Sequence, residues 1–250
     1  MNLVMRGLVL RSTDYKEADK LLTVLTDTRG VLTVHARAAR RRGNGLQTAS
    51  QLFAFSEMTL FNYQGRYILD EAEMLESFSG LQKDLPRLAL ASYIAEILGA
   101  EAEENSAGDA LLRLALNSLY ALARGLYPPE VVKPAFELRY MALSGYAPAL
   151  DACSVCGTPE PSEPQLLPEA GLLRCANCAL AGTGRYLPLD GPSLAAMRYI
   201  LRCDLKKLFS FSLSEPSKTL LDKACEAYLL AGVERKFRTL DFYKSVGEPI

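Results

Sequence analysis

The sequence predicts an α+β protein in which a five-stranded β-barrel is followed by a helical domain carrying a four-cysteine zinc-knuckle insert. Three observations predict it. Over about the first seventy-five residues, short Val-, Leu- and Thr-rich runs alternate with turn signals, which is the signature of half-buried strands. From Pro86 the apolar period lengthens to that of a helix. Between Cys153 and Cys178, two Cys-x-x-Cys pairs stand eighteen residues apart. The boundaries that follow are 1–80 for the barrel, 81–250 for the helical domain and about 150–182 for the insert.

In chain order, the first three strands are Val4 to Arg11, Leu21 to Thr26 and Gly30 to Ala38, bounded by the turns Ser12-Thr-Asp-Tyr15 and Asp27-Thr-Arg-Gly30. The fourth runs from Leu52 to Tyr63, with a slip near Ser56-Glu57 that reads as a bulge. Gln64-Gly65 turns the chain into the fifth, Arg66 to Asp70. Five short strands close, or nearly close, a small barrel that buries one face and leaves the other free to bind. Between the third and fourth strands lies Arg37-Ala-Ala-Arg40-Arg41-Arg42-Gly43-Asn44-Gly45, and no acid occurs between Asp27 and Glu57. Guanidinium forks grip phosphate oxygens in pairs, so the loop reads as a phosphate-contacting segment; a solvated surface loop is the alternative. Phe61, Tyr63 and Tyr67 stack bases if they face outward and fill the core if they do not.

Asp84 is a helix cap with Pro86 in the first turn, and Leu88, Tyr93, Ile94, Ile97 and Leu98 form one stripe. Asp109 opens a second helix that ends before Gly125 and Pro128-Pro129, and Glu130 opens a third that stops at Gly145. These three are expected to pack together, with Glu101 to Gly108 as an acidic surface loop. Helical pattern resumes after Pro192 and again from Ser217 to Leu230, before a polar, basic piece around Arg235-Lys236-Phe-Arg238.

Cys153, Cys156, Cys175 and Cys178 have the spacing of two knuckles facing one tetrahedral ion, and Gly157 supplies the positive φ that a knuckle needs. Two disulfides, or four thiols that never meet, are the alternatives. Four thiolates close the coordination shell, and the chain's only histidine, His35, is remote, so the expected metal is one structural Zn2+ per chain. The insert's prolines leave it little core of its own, and metal binding would supply the missing folding energy. Cys203 and Cys225 fall in helical patterns and read as small core residues.

With 49% hydrophobic residues the chain can bury a sizeable core. The N-terminus has no signal-peptide pattern and no run approaches a membrane span, so a cytoplasmic protein without membrane association is expected. The net charge of −1 conceals a basic first part (ten Lys/Arg against five Asp/Glu in 1–69) and an acidic block (two against ten in 70–109). No P-loop, nucleophile elbow or dinucleotide fingerprint occurs, and one histidine is too few for a catalytic relay. Asp70, Glu71 and Glu73 occupy strand positions that do not all face one ion, which argues against metal-dependent nuclease chemistry. A binding protein, not an enzyme, is expected.

The runs Gly7-Leu-Val-Leu10, Tyr15-Lys-Glu17-Ala-Asp19, Leu25-Thr26-Asp-Thr-Arg29-Gly30 and Ala36-Arg37-Ala-Ala-Arg40-Arg41 resemble the start of the RecO family of bacterial recombination-mediator and DNA-repair proteins. The stretch Phe136 to Gly157 is similar to that family's helix leading into its zinc knuckle, and with the second knuckle the resemblance spans nearly the whole chain. Ala38 departs from it, standing where the family usually has Gly. The resemblance implies an OB-type barrel, a helical C-terminal domain and no enzymatic turnover. It implies binding of single- and double-stranded DNA, annealing of complementary strands, partnership with RecR and the single-stranded DNA-binding protein, and loading of RecA, with nucleoid association during repair. On this reading Arg37, Arg40, Arg41 and Arg42, with Lys16, Arg29 and Arg66, neutralise phosphates, and Arg198, Arg202, Lys206 and Lys207 extend the track or form a solvated helix face. Arg124, Lys133 and Arg139 are candidates to receive the acidic, apolar tail expected of the single-stranded DNA-binding protein. Two rival classes are a zinc-ribbon nucleic-acid factor, disfavoured because Asp151 to Ala181 is net acidic, and a protein-interaction scaffold using the acidic block.

Overall fold

A computed structural model of the chain describes residues 2–101, 108–179 and 184–247, so the acidic loop expected at 101–108 lies almost wholly outside the described residues. Packing divides the chain into two compact units, Met1–Arg124 with Phe237–Ile250, and Gly125–Lys236. Packing thus keeps three of the helices that follow residue 80 with the barrel.

The first unit opens with β1 (Asn2–Tyr15), β2 (Asp19–Thr26), β3 (Gly30–Ala36), the short helix α1 (Leu46–Ala49), β4 (Phe55–Tyr63) and β5 (Arg66–Glu76). The strands close in the order β1-β2-β3-β5-β4, an OB-like barrel. All pairings are antiparallel except the closing one, where β3 runs parallel to β5 over Val34↔Tyr67 to Ala36↔Leu69. The interior is filled by Met5, Val9, Leu22, Val24, Leu32, Val34, Met58, Leu60, Tyr67 and Leu69. Tyr67 is thus a core residue, not a stacking one, because its register partner Val34 also points inward.

Strand ends differ from expectation for local reasons. β1 runs on through Ser12-Thr-Asp-Tyr15, which pairs with Asp19 to Leu22 and leaves the turn to residues 16–18. A register shift between Val9 and Arg11 lets the consecutive residues Leu8, Val9 and Leu10 all be buried, by the barrel interior on one side and by a helix on the other. The expected slip in β4 is present as a register shift between Phe55 and Ser56, joined by a second between Thr59 and Leu60. β4 begins only at Phe55, because Phe53 takes a positive φ of 64°. The helix α1 is a single turn, too short for a helical period to show in the sequence, and it tucks Leu46 and Ala49 against β5.

A 3-10 turn (Ser79–Lys83) leads into α2 (Leu85–Glu101), capped by Asp84, whose Oδ1 accepts the Arg87 amide at 3.0 Å. With α3 (Gly108–Ala123) it covers the outside of β1 and β2. Gly80 is needed where the 3-10 turn meets the end of α3, since a Cβ there would overlap the Ala123 carbonyl oxygen. Gly80→Ala is expected to cost about 1–3 kcal/mol through this overpacking, read as a lower urea midpoint with unchanged metal content.

The second unit begins with α4 (Pro129–Leu143), which ends at Gly145 as expected. Next come β6 (Gln165–Leu167), β7 (Leu172–Arg174), α5 (Ala176–Ala179) and β8 (Leu187–Pro188), forming a small sheet of order β7-β6-β8. Then follow α6 (Gly191–Arg202), held by a capping box between Asp190 and Ser193, and α7 (Ser217–Val233). α4, α6 and α7 pack on one another, so the third helix does not join the first two in one bundle: its apolar face, with Val132, Phe136 and Tyr140, is buried in this unit. The chain then returns to the first unit as α8 (Arg238–Gly247), which packs on α2. The polar, basic appearance of this segment hid its anchor. Phe237 is buried edge-on against Tyr93 with centroids 5.6 Å apart, and the Thr239 amide donates to Glu96 at 3.0 Å. Among the described residues no helix is long and apolar enough to cross a membrane.

Candidate metal centre and nucleic-acid interface

The two Cys-x-x-Cys pairs form knuckles because backbone hydrogen bonds fold each back on itself. In the first, Gly157 at φ 73° donates its amide to the Cys153 carbonyl at 2.9 Å, and Cys153 donates to Thr158 at 2.8 Å. In the second, Cys178 donates to Cys175 at 3.0 Å. The Ser154 amide reaches the Leu173 carbonyl at 2.8 Å, which ties the first knuckle to β7 just before the second. All four sulfurs lie within 4.8 Å of one another, and Cys175 Sγ is 3.9 Å from both Cys153 Sγ and Cys156 Sγ. A tetrahedral S4 shell with bonds of about 2.3 Å has sulfurs about 3.8 Å apart, so the four fit one ion and none is in a disulfide. Burial pushes the Cys153 thiol up, but the amides of Cys156, Cys175 and Val155 win and draw it down to about 6. Hydrogen bonding with Cys175, then burial, raises Cys178. One thiolate forms readily here, and four together need a cation.

The insert has more core than its composition suggested: Leu166 and Leu173 are fully buried, and Leu189 nearly so. Arg198 of α6 closes the base of the first knuckle. Its Nε donates to Leu150 O at 2.8 Å, its Nη2 to Asp151 O at 3.1 Å and Pro159 O at 2.6 Å, and its Nη1 pairs with Glu160 at 2.9 Å. A guanidinium so engaged has no fork left for phosphate, so the structure gives Arg198 a scaffolding position. Arg202 pairs with Asp151, while Lys206 and Lys207 stay exposed on the following 3-10 turn. The placement of Lys133 is also corrected: it is 2% exposed and contacts Glu137, Asp222 and Glu226 at 3.2, 2.8 and 2.9 Å. Arg139 donates to the carbonyl of half-buried Cys203 at 2.6 Å. Arg124, in the other unit, lies over the Tyr120 ring and 3.8 Å from Glu76.

In the barrel the basic loop follows β3 as a series of turns rather than a free arch. Arg37, Arg41 and Arg42 are exposed, with no ion pair among the described residues. Arg40 has the carboxylate partner that the neighbouring sequence lacks, because the β1–β2 turn brings Asp14 to 3.3 Å. Lys16, on that same turn, is exposed beside the Tyr15 ring at 5.3 Å. Arg29 and Arg66 belong elsewhere on the barrel. Arg29 reaches Tyr67 Oη at 3.4 Å, and Arg66 pairs with Tyr63 across the β4–β5 hairpin. Phe61 and Tyr63 face outward, 40% and 57% exposed, so of the three aromatics these two are free to stack.

The family models for the N-terminal and C-terminal parts of recombination protein O match residues 1–78 and 82–241. The chain is 31% identical over 241 residues to the DNA repair protein RecO of Acetivibrio thermocellus, covering 96% of this chain and 95% of that one. It is 32% identical to the protein of that name from Symbiobacterium thermophilum, covering 94% of each, and 33% identical to that from Desulforamulus reducens, covering 96% and 94%.

Proposed function

Because the chain belongs to the recombination protein O family of DNA repair proteins, we propose that it acts as a recombination mediator that binds single- and double-stranded DNA and anneals complementary strands. The observation that carries the reading is the cluster of exposed Arg37, Arg41 and Arg42, which make no ion pair among the described residues, on a closed five-stranded barrel, with Lys16 on the β1–β2 turn, Arg29 on the β2–β3 turn and Arg66 at the hairpin carrying Phe61 and Tyr63. Annealing brings two polyanions together, and cation-driven release of counterions is the term a protein supplies without a nucleotide. The outward aromatics offer stacking platforms to unpaired bases. The barrel, residues 1–80, is on this reading the nucleic-acid-binding domain.

The reading extends to partners and cofactor. With RecR the protein helps load RecA onto single strands covered by the single-stranded DNA-binding protein, in the cytoplasm at the nucleoid, by binding alone and without turnover. Cys153, Cys156, Cys175 and Cys178 hold one Zn2+, whose chemistry here is to neutralise four thiolates and lock the two knuckles together. Lys206 and Lys207 remain as secondary phosphate contacts, and Arg198 and Arg202, engaged by the first knuckle and Asp151, drop out.

Fluorescence-monitored annealing of complementary oligonucleotides tests the reading. The triple variant Arg37→Glu, Arg41→Glu, Arg42→Glu is expected to lose at least about tenfold in annealing rate with zinc content unchanged. Its log–log dependence of single-strand affinity on salt is expected to flatten by about 2. Annealing by the triple variant at the parent rate and salt slope would remove the barrel loop as the DNA surface.

A further inference from the structure

We propose that Asp19 is the positioning residue of the basic loop, and that Arg40 is a strut of that loop rather than a phosphate ligand. The proposal rests on reading the loop as the DNA interface and adds how it is presented.

Four cations within six residues repel one another, so left to itself the segment would spread. It folds instead into consecutive turns: the Arg41 amide donates to Ala38 O at 2.9 Å and the Asn44 amide to Arg41 O at 3.2 Å. Ala38 takes φ 51°, a left-handed conformation that a residue with a Cβ keeps only when its surroundings over-determine it. Those surroundings are specific. Asp19 Oδ1 accepts the Ala38 amide at 2.8 Å, and Asn44 Nδ2 donates to the Ala38 carbonyl at 2.9 Å. The other oxygen of Asp19 pairs with His35 Nε2 at 2.8 Å, and the His35 ring packs edge-on against Tyr15. Asp19 opens β2 in register with Tyr15, so the carboxylate that shapes the loop is fixed by the barrel wall.

Arg40 completes the brace. Its amide donates to Ala18 O at 2.9 Å, its Nη1 to Glu17 O at 3.2 Å, and its Nη2 lies 3.3 Å from Asp14. Glu17 and Ala18 lie on the β1–β2 turn and Asp14 at the end of β1 that leads into it, and an arginine already matched to a carboxylate releases few counterions when DNA arrives. Arg37, Arg41 and Arg42 are exposed and make no ion pair among the described residues. Ordering the loop before the strand binds removes that entropy cost from association.

The test is binding of a fluorescein-labelled single-stranded oligonucleotide by the full chain across a salt series. Arg41→Gln is expected to lower the salt slope by about 0.7, the loss of one phosphate contact. Arg40→Gln and Asp19→Ala are expected to weaken binding about fivefold to tenfold with the slope within about 0.3 of the parent, because presentation is lost and contacts are not. Asp19→Asn keeps an acceptor for the Ala38 amide and is expected to recover most of the affinity. Hydrogen exchange without DNA reads the brace directly: in Asp19→Ala the amides of Ala38 and Arg40 should exchange at least about tenfold faster while those of β3 stay protected. A full-contact drop in slope for Arg40→Gln, or unchanged exchange in Asp19→Ala, overturns the proposal. If the parent chain binds no oligonucleotide, the DNA reading fails by itself, and the exchange experiment still decides the brace.

Discussion

Replacing Cys175 by Ser is expected to abolish tight zinc binding and to melt the segment from Leu150 through α5. Cys175 is buried and its sulfur lies 3.9 Å from two of the other three, so its loss opens the shell on its inner side. What remains is a three-residue strand on each side of one turn, with two-residue β8 alongside. Structural zinc contributes on the order of 10 kcal/mol in small metal-dependent folds, far more than burial of Leu166 and Leu173 replaces. Zinc stoichiometry by metal analysis should fall from about one to near zero per chain, and the melting transition of the second unit should broaden and drop by several kcal/mol in stability. Annealing measured below that transition should persist, since the proposed DNA surface has its own core in the first unit. Full zinc retention by Cys175→Ser, or an unchanged transition after chelation, would refute a structural metal at these four cysteines.

Lys133→Met is expected to destabilise the second unit by about 3–5 kcal/mol, the cost of leaving a buried ion network without its counter-charge. The ammonium is 2% exposed and fully buried Glu137 lies one turn along α4, while Asp222 and Glu226 come from α7, so the lysine fastens the two helices together. Burial works to lower its pKa, but the three carboxylates outweigh it and hold the group charged, its pKa raised above the ordinary lysine value. A raised lysine pKa gives a stabilisation fully present below the unfolded-state value of about 10.4 and lost as pH rises through the higher folded value. Denaturant unfolding of parent and variant should therefore differ by a constant amount from neutral pH to about 9, and converge only in strong alkali. The double variant Lys133→Met, Glu137→Gln should recover part of the loss, because it removes the most deeply buried charge. A Lys133→Met protein as stable as the parent would show that the network is solvated rather than closed.

Much of the molecule is legible in its sequence. Period-two runs with turn residues between them gave the five strands, and Gln64-Gly65 marked the hairpin at which Tyr63 meets Arg66. Gly157 and Gly145 stood where positive φ was needed. Cysteine spacing pointed to the four thiols that the fold gathers within 4.8 Å of one another, since two residues between thiols almost dictate a knuckle. Short elements were not legible. α1 and β6 to β8 are four residues or fewer, too short for a period to register, and the core of the insert rests on single leucines.

Partnership was the other hidden layer. Arg198, Arg202, Lys206 and Lys207 read as one basic run, yet Arg198 is consumed by three carbonyls and Glu160, and Arg202 by Asp151, all at least 38 residues away in sequence. Arg40 and Arg41 are neighbours of the same type, but only Arg40 meets Asp14. Lys133 looks like any surface lysine on a helix until α7 brings two carboxylates to it. Local features were readable from the chain alone: strand and helix periods, turn positions, the two cysteine knuckles and the charge carried by each segment. Which of those cations meet a carboxylate was settled by packing, because the pairing of a charge depends on what packs against it rather than on what precedes it in the chain.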